Sequence, residues 1–218
     1  VQEFLSRAPD CLVIYKTSHL EKWWDELPDG WKDVFTRQIS IQPKTRREDL
    51  HRLVELKSIS FSDVGVNDLS VLKQFIRLET IQFSGTPIAD LTPLSEMTTL
   101  KNLQAANSPL RNLEALFKLT TLETLDLSNT PIEDIRPLAN LKALRKLNCA
   151  GTQVKSLDIL GTLQHLEEVD CSNTFVKKLD PLSGLPLKTL RCYNTRVSEK
   201  EIQRFKESHP ECNVIYYR

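Results

Sequence analysis

The stretch Leu122-Glu123-Thr124-Leu125-Asp126-Leu127-Ser128-Asn129-Thr130-Pro131-Ile132-Glu133-Asp134-Ile135-Arg136-Pro137-Leu138-Ala139-Asn140-Leu141 carries two hydrophobic periods in succession. Leu122-x-x-Leu125-x-Leu127 ends in strict alternation, which puts Leu125 and Leu127 on one face of a short strand. Ile132, Ile135, Leu138 and Leu141 then recur every third residue, the spacing of short 3₁₀ turns. The same phrase opens at Leu56, Leu78, Leu100, Leu122, Leu144 and Leu166, each 22 residues after the last. A seventh copy starts at Leu187 after 21 residues, one being lost near Gly184-Leu185-Pro186. Apolar residues fall at repeat positions 1, 4, 6, 11, 14, 17 and 20, and this repeat absorbs most of the 34 leucines among 218 residues. A period of this length specifies a solenoid, because one copy has no neighbour against which to bury its apolar face.

The residues Leu125 to Leu138, read with their six sister copies, resemble the bacterial leucine-rich-repeat family, in particular its 22-residue internalin-like class. The resemblance covers about residues 56–197, two-thirds of the chain. It implies an α/β leucine-rich-repeat solenoid: a parallel sheet on the concave side and 3₁₀ turns and loops on the convex side. The family usually has Asn at position 9, where the amide bonds neighbouring backbone. That column here is Val64, Thr86, Ser108, Thr130, Thr152, Thr174 and Thr195, so hydroxyls are expected to take over the bonding.

Both ends of such a stack need closing. Ser198-x-x-Glu201 is a capping box; Ile202 and Phe205 give the following helix an apolar face, and His209-Pro210 stops it. Val214 to Tyr217 reads as a terminal strand, so residues 198–218 form a helix–strand C-terminal cap. Residues 17–55 read as a helical N-terminal cap. Ser18-x-x-Glu21 opens a helix with Leu20, Trp23, Trp24 and Leu27 inside; Trp31, Val34 and Phe35 begin a second; Thr45-x-x-Glu48 opens a third with Leu50, Leu53 and Val54 inside. Ile39-Ser40-Ile41 echoes Ile59-Ser60-Phe61 and is expected to form an extra, degenerate repeat strand. The three tryptophans are assigned to sealing the core, in preference to lining a peptide groove.

Residues 1–16 repeat the C-terminal ending. Phe4, Pro9, Cys11, Val13, Ile14 and Tyr15 match Phe205, Pro210, Cys212, Val214, Ile215 and Tyr216, all offset by 201. Two readings stand side by side: the tail of an earlier cap in a tandem-array protein, or one helix–strand motif used at both ends of a single domain.

The remaining chemistry is sparse. Lys and Arg number 29 against 29 Asp and Glu, which excludes a bulk electrostatic grip on nucleic acid or on an anionic membrane. No apolar run is long enough for membrane insertion. Cys149, Cys171 and Cys192 occupy position 6 in successive copies and are expected to pack as small hydrophobes. Stacked buried thiols fit a reducing, cytoplasmic compartment better than an oxidising one. No C-x-x-C pair, histidine pair or Gly-rich phosphate loop occurs, so no metal, cofactor or catalytic residue is assigned. Asp126 and Asp170, two layers or about 10 Å apart, are the thin acid–base candidate, and nothing in the sequence converges on them.

The concave face follows from the period. Position 3 runs Ser58, Thr80, Asn102, Thr124, Lys146, Glu168, Thr189; position 5 runs Ser60, Gln82, Gln104, Asp126, Asn148, Asp170, Arg191. Charge gathers in the last four layers. Arg191 and Tyr193 are the residue types that anchor interfaces. The binding candidates are therefore Asp126, Lys146, Asn148, Glu168, Asp170, Arg191 and Tyr193, with a protein partner. The expected function is a non-catalytic scaffold or adaptor that binds protein on its concave face. The alternative, which the internalin resemblance allows, is a secreted or surface-exposed adhesin or carbohydrate-binding module. The other reading of the polar face is that it keeps an exposed sheet soluble.

Overall fold

One strand forms per repeat, and each pairs with the next in parallel. A computed structural model describes residues 17–39, 46–62 and 64–217. The strands are β1 (Ser58–Ser62), β2 (Thr80–Ser84), β3 (Asn102–Gln104), β4 (Thr124–Asp126), β5 (Lys146–Asn148), β6 (Glu168–Asp170), β7 (Thr189–Arg191) and β8 (Asn213–Ile215). They lie in one sheet in sequence order. The register is the repeat itself: Thr124 pairs with Lys146, Lys146 with Glu168, Glu168 with Thr189 and Thr189 with Asn213. The carbonyl at position 2 of one layer accepts two N–H groups of the next; both Arg145 and Lys146 donate to Glu123, at 2.8 and 3.1 Å.

On the opposite side each of the first six layers carries a 3₁₀ turn, such as Arg136–Asn140 and Asp158–Thr162. The seven apolar positions meet between. In the fourth layer Leu122, Leu125, Leu127, Ile132, Ile135, Leu138 and Leu141 are all at most 3 % exposed. Each layer thus buries both of its flat sides, and stability lies in the contacts between layers.

Two polar columns turn the chain out of each strand. At position 9, Thr130, Thr152, Thr174 and Thr195 donate to the carbonyls of Leu127, Cys149, Cys171 and Cys192 at 2.5–2.9 Å. These four hydroxyls bond backbone as expected, but within their own layer; the buried Thr86 hydroxyl of the same column has no hydrogen-bond partner among the described residues. At position 8, Gly85, Asn107, Asn129, Gly151, Asn173 and Asn194 all have φ between 50° and 70°. Asn and Gly tolerate this left-handed conformation best. The amides also link layers: Asn129 Nδ2 donates to Asn107 Oδ1 at 3.1 Å and Asn194 Nδ2 to Asn173 Oδ1 at 2.8 Å.

The N-terminal end is closed by α1 (Thr17–Asp25), α2 (Asp29–Gln38) and α3 (Arg47–Val54). Trp31 stacks on Phe35 at 5.1 Å, meets the edge of Phe61 at 5.1 Å and donates Nε1–H to the Asp68 carbonyl at 3.0 Å. Trp23 packs on Phe35 and Phe75. These tryptophans seal the core. Some starts differ from the sequence reading. Ser18 falls inside α1. The third helix begins at Arg47, and Asp49, not Glu48, reaches back to the Arg46 N–H at 3.2 Å. Thr45, Ser40, Ile41 and the whole of residues 1–16 lie outside the described residues.

The C-terminal end is closed by α4 (Glu199–Ser208) and β8. Ser198 Oγ accepts from the Glu201 N–H at 3.2 Å. The Glu201 carboxylate does not return to Ser198; it accepts the Leu179 N–H at 2.9 Å and so pins α4 to the preceding layer. The terminal strand is Asn213–Ile215, one residue earlier than expected and shorter.

Candidate concave binding face

Strand alternation turns positions 3 and 5 away from the core, and the register stacks them in columns. Thr124, Asp126, Lys146, Asn148, Glu168, Asp170 and Arg191, with Gln104, line one open groove on the sheet. The structure therefore brings six of the seven sequence candidates together. The seventh, Tyr193, lies two residues beyond Arg191 at the edge of the same layer.

Their environments separate them by role. Asp126 Oδ1, Asn148 Oδ1 and Asp170 Oδ1 accept the N–H two residues on, from Ser128, Ala150 and Ser172, at 2.8–3.1 Å. These three side chains hold the exit from the strand, and each keeps its second terminal atom for the groove. Lys146 and Glu168 pair with each other at 2.7 Å, with side chains 53 % and 37 % exposed. So exposed a pair contributes little to stability. Asp126, Asp170 and Arg191 form no ion pair among the described residues. The groove thus offers two carboxylates and one guanidinium to a partner.

Tyr193 has a neighbour that the period did not reveal. β7 and β8 are in register from Arg191 on Ile215, which carries Tyr193 onto Tyr217. The rings stack at 4.8 Å with an interplanar angle of 1°, and Tyr217 is 63 % exposed. The signal was available in the sequence: a strand over residues 214–217 places a second tyrosine in the Tyr193 column.

Beneath this face, Cys149, Cys171, Cys192 and Cys212 are buried free thiols. Burial pushes Cys149 up to about 12 and Cys192 to about 11, and raises Cys171 and Cys212 as well. Buried and protonated at neutral pH, they are packing groups and weak nucleophiles. Among the described residues no cluster of His, Cys, Asp and Glu is arranged to hold a metal ion, and no helix is long and apolar enough to cross a membrane.

One further column escaped sequence reading. Position 2 runs Lys57, Glu79, Lys101, Glu123, Arg145, Glu167, Lys188, alternating in sign through seven layers. Lys101 meets Glu79 at 2.8 Å, and Glu167 meets both Arg145 at 2.8 Å and Lys188 at 2.7 Å. The hydrogen bond from Lys101 holds the Glu79 carboxyl below its ordinary value, and that from Lys188 does the same for Glu167.

Comparison with known proteins agrees with this architecture. A family model described as leucine-rich repeats (2 copies) matches residues 142–184. The crystal structure of an internalin (inlF) from Listeria monocytogenes aligns with a TM-score of 0.76 at 23 % identity, covering 86 % of this chain and 55 % of that one. Internalin C2 of the same species aligns with a TM-score of 0.75 at 25 % identity, covering 87 % and 85 %. A leucine-rich-repeat protein of Leptospira interrogans aligns with a TM-score of 0.65 at 18 % identity, covering 76 % and 50 %. The chain thus spans about half the length of the first and third of these structures and most of the second. No curated protein matches it in sequence.

Proposed function

We propose that this internalin-like leucine-rich-repeat protein is a non-catalytic binding module that holds a protein partner on the C-terminal half of its concave face. Leucine-rich-repeat solenoids generally serve protein–protein interaction, and a rigid concave sheet is their extended binding surface. The observation that carries the finer reading is the asymmetry of that sheet. Its first three layers present only Ser, Thr, Asn and Gln at positions 3 and 5. Its last four present uncompensated Asp126, Asp170 and Arg191 beside the stacked Tyr193 and Tyr217. Solubility alone has no need of a one-sided distribution. Unpaired charges of both signs next to an aromatic anchor suit a partner with its own complementary charges.

The test is a paired affinity capture with the intact chain and a variant. Asp126→Asn and Asp170→Asn keep Oδ1 for the turn hydrogen bonds while removing the charge. Arg191→Gln and Tyr193→Ala remove the anchors. With melting temperature unchanged, the variant should lose at least about tenfold in affinity, the scale of a hot spot. Equal capture by both would reject the concave face as the site.

A further inference from the structure

The charges of the concave groove stand at fixed heights along the stack. Position 5 puts Asp126, Asn148, Asp170 and Arg191 in four successive strands, paired directly in register. Neighbouring strands lie about 4.8 Å apart, so Asp170 stands about 10 Å and Arg191 about 14 Å along the sheet from Asp126. Backbone holds both carboxylates in place: Asp126 Oδ1 accepts the Ser128 N–H at 2.8 Å and Asp170 Oδ1 the Ser172 N–H at 3.0 Å. Side chains already held lose little freedom when a partner docks. Asp126, Asp170 and Arg191 are half-buried, and none of them has an ionic partner among the described residues. Lys146 and Glu168, at position 3 of the two middle layers, neutralise each other at 2.7 Å. The groove therefore presents a pre-set series along position 5: negative, neutral, negative, positive.

A complementary partner brings opposite charges to the same heights, and regular backbones differ in whether they can. An extended strand repeats a face every second residue, so its marks fall at about 6.6 and 13 Å and miss Asp170. A polyproline II helix repeats every third residue, at about 9.3 Å, which meets both carboxylates and is out of phase at Arg191. In an α-helix, residues i, i+7 and i+11 lie within about 20° of one line, at heights of about 10.5 and 16.5 Å from the first. These marks fall within about 2 Å of Asp170 and Arg191, well inside the reach of a charged side chain.

The rest of the face suits the same occupant. A helix is about 10 Å across, so one centred on position 5 reaches toward positions 3 and 7 on either side. Position 7 is small through these layers, with Ser128, Ala150 and Ser172, until Tyr193. Tyr193 stacks on Tyr217 in the last two strands, about 19 Å from Asp126 by strand count. Residue i+14 of the helix stands at about 21 Å, against this aromatic pair.

We infer that the occupant of the groove is an α-helix of the partner, laid across the strands along the stack, with basic residues at i and i+7, an acidic residue at i+11 and an apolar residue at i+14; this rests on the concave-face reading above and adds the partner's backbone form and charge spacing. The basic residues meet Asp126 and Asp170, and the acidic residue meets Arg191. At the last two contacts the four charges alternate in sign, so each has opposite charges as its neighbours.

Fluorescence anisotropy with the intact chain tests the spacing. The probe is a labelled Ala/Gln-rich helical peptide of about twenty residues, about 30 Å long, with arginine at i and i+7, glutamate at i+11 and leucine at i+14. It is made in both sequence orders, because the charge spacing is the same from either end. At least one order should bind saturably. Moving the middle arginine two residues along, to the opposite face, should weaken binding about tenfold, the scale of a hot spot. A proline midway between the arginines, which breaks the helix, should do the same. Asp170→Asn keeps Oδ1 for the Ser172 N–H and removes the charge. It should weaken the matching peptide about tenfold and leave a peptide with glutamine for the middle arginine unchanged, because the two changes remove one shared contact. Binding by neither order, undiminished binding of the shifted or proline peptide, or an equal loss from Asp170→Asn on the glutamine peptide overturns the inference. If a native partner is nevertheless captured by the intact chain and lost by the four-substitution variant, only the helix is rejected and the concave-face reading stands. Equal capture by both baits removes that reading as well.

Discussion

At the scale of single residues, the turn out of each strand is the most constrained point. Gly151 has φ +70°, and a Cβ added there would stand 2.3 Å from Asn129 Oδ1. Gly151→Ala should therefore destabilise by about 1–3 kcal/mol. Gly184→Ala, with nothing within 4 Å of its Cβ, should be close to neutral. Denaturant titration of both variants checks the contrast. Next to it, Thr152→Val removes a buried hydroxyl bond of 2.6 Å and should cost about 1 kcal/mol. The thiols give a chemical readout of the same packing. In a Cys11→Ser background, a thiol-specific reagent should label the native protein only at the rate of its unfolding; rapid labelling of Cys149, Cys171, Cys192 or Cys212 would contradict their burial.

At the scale of elements, His51 and the position 2 ladder both make the molecule sensitive to acid. His51 is 1 % exposed on α3, and burial lowers its basicity below the ordinary 6.5, against the opposing pull of Glu55. The folded state therefore binds its proton less readily than the unfolded chain does. Stability should be flat above pH 6.5 and decline as pH falls below it, and His51→Leu should flatten that slope in pH-dependent melts. The Glu79 and Glu167 carboxylates are held below their ordinary 4.5, so their contribution is complete above that pH and is lost below it. Charge reversal is the sharper test of the ladder. Glu167→Lys places cations in three successive layers and breaks two ion pairs, so the melting temperature should fall, and fall more at low salt than at high salt. Glu96→Lys, at an isolated exposed pair with Lys118, should do little. Equal effects at the two sites would reduce the ladder to surface decoration.

At the scale of the whole molecule, the fold was legible in the sequence because the repeat restates one solution seven times. The 22-residue period is the register of the sheet, so locating Leu122 and its sisters locates strands β1 to β7 and their inward columns. Elements outside the period were harder. The pattern Thr45-x-x-Glu48 pointed to one helix start, whereas the described helix follows Arg46, whose N–H is met by Asp49; Glu201 satisfies the local capping pattern and is diverted to Leu179 by a neighbour that local sequence does not show. The candidate face was legible as a set of positions. Its division into Asp126, Asn148 and Asp170 as turn holders, Lys146 and Glu168 as a mutual pair, and Arg191 with Tyr193 as free anchors needed three dimensions. Tyr217 joined them only through the β7–β8 register.

Site-specific photo-crosslinking in extracts of the native source tests the binding face most directly. One photoreactive side chain would be placed at Asn148, in the groove, and another at Phe117, which is 48 % exposed on the convex side. The account predicts a discrete protein adduct from position 148, lost when Arg191→Gln and Tyr193→Ala are added, and none from position 117. An adduct from position 117, or none from position 148, would contradict it.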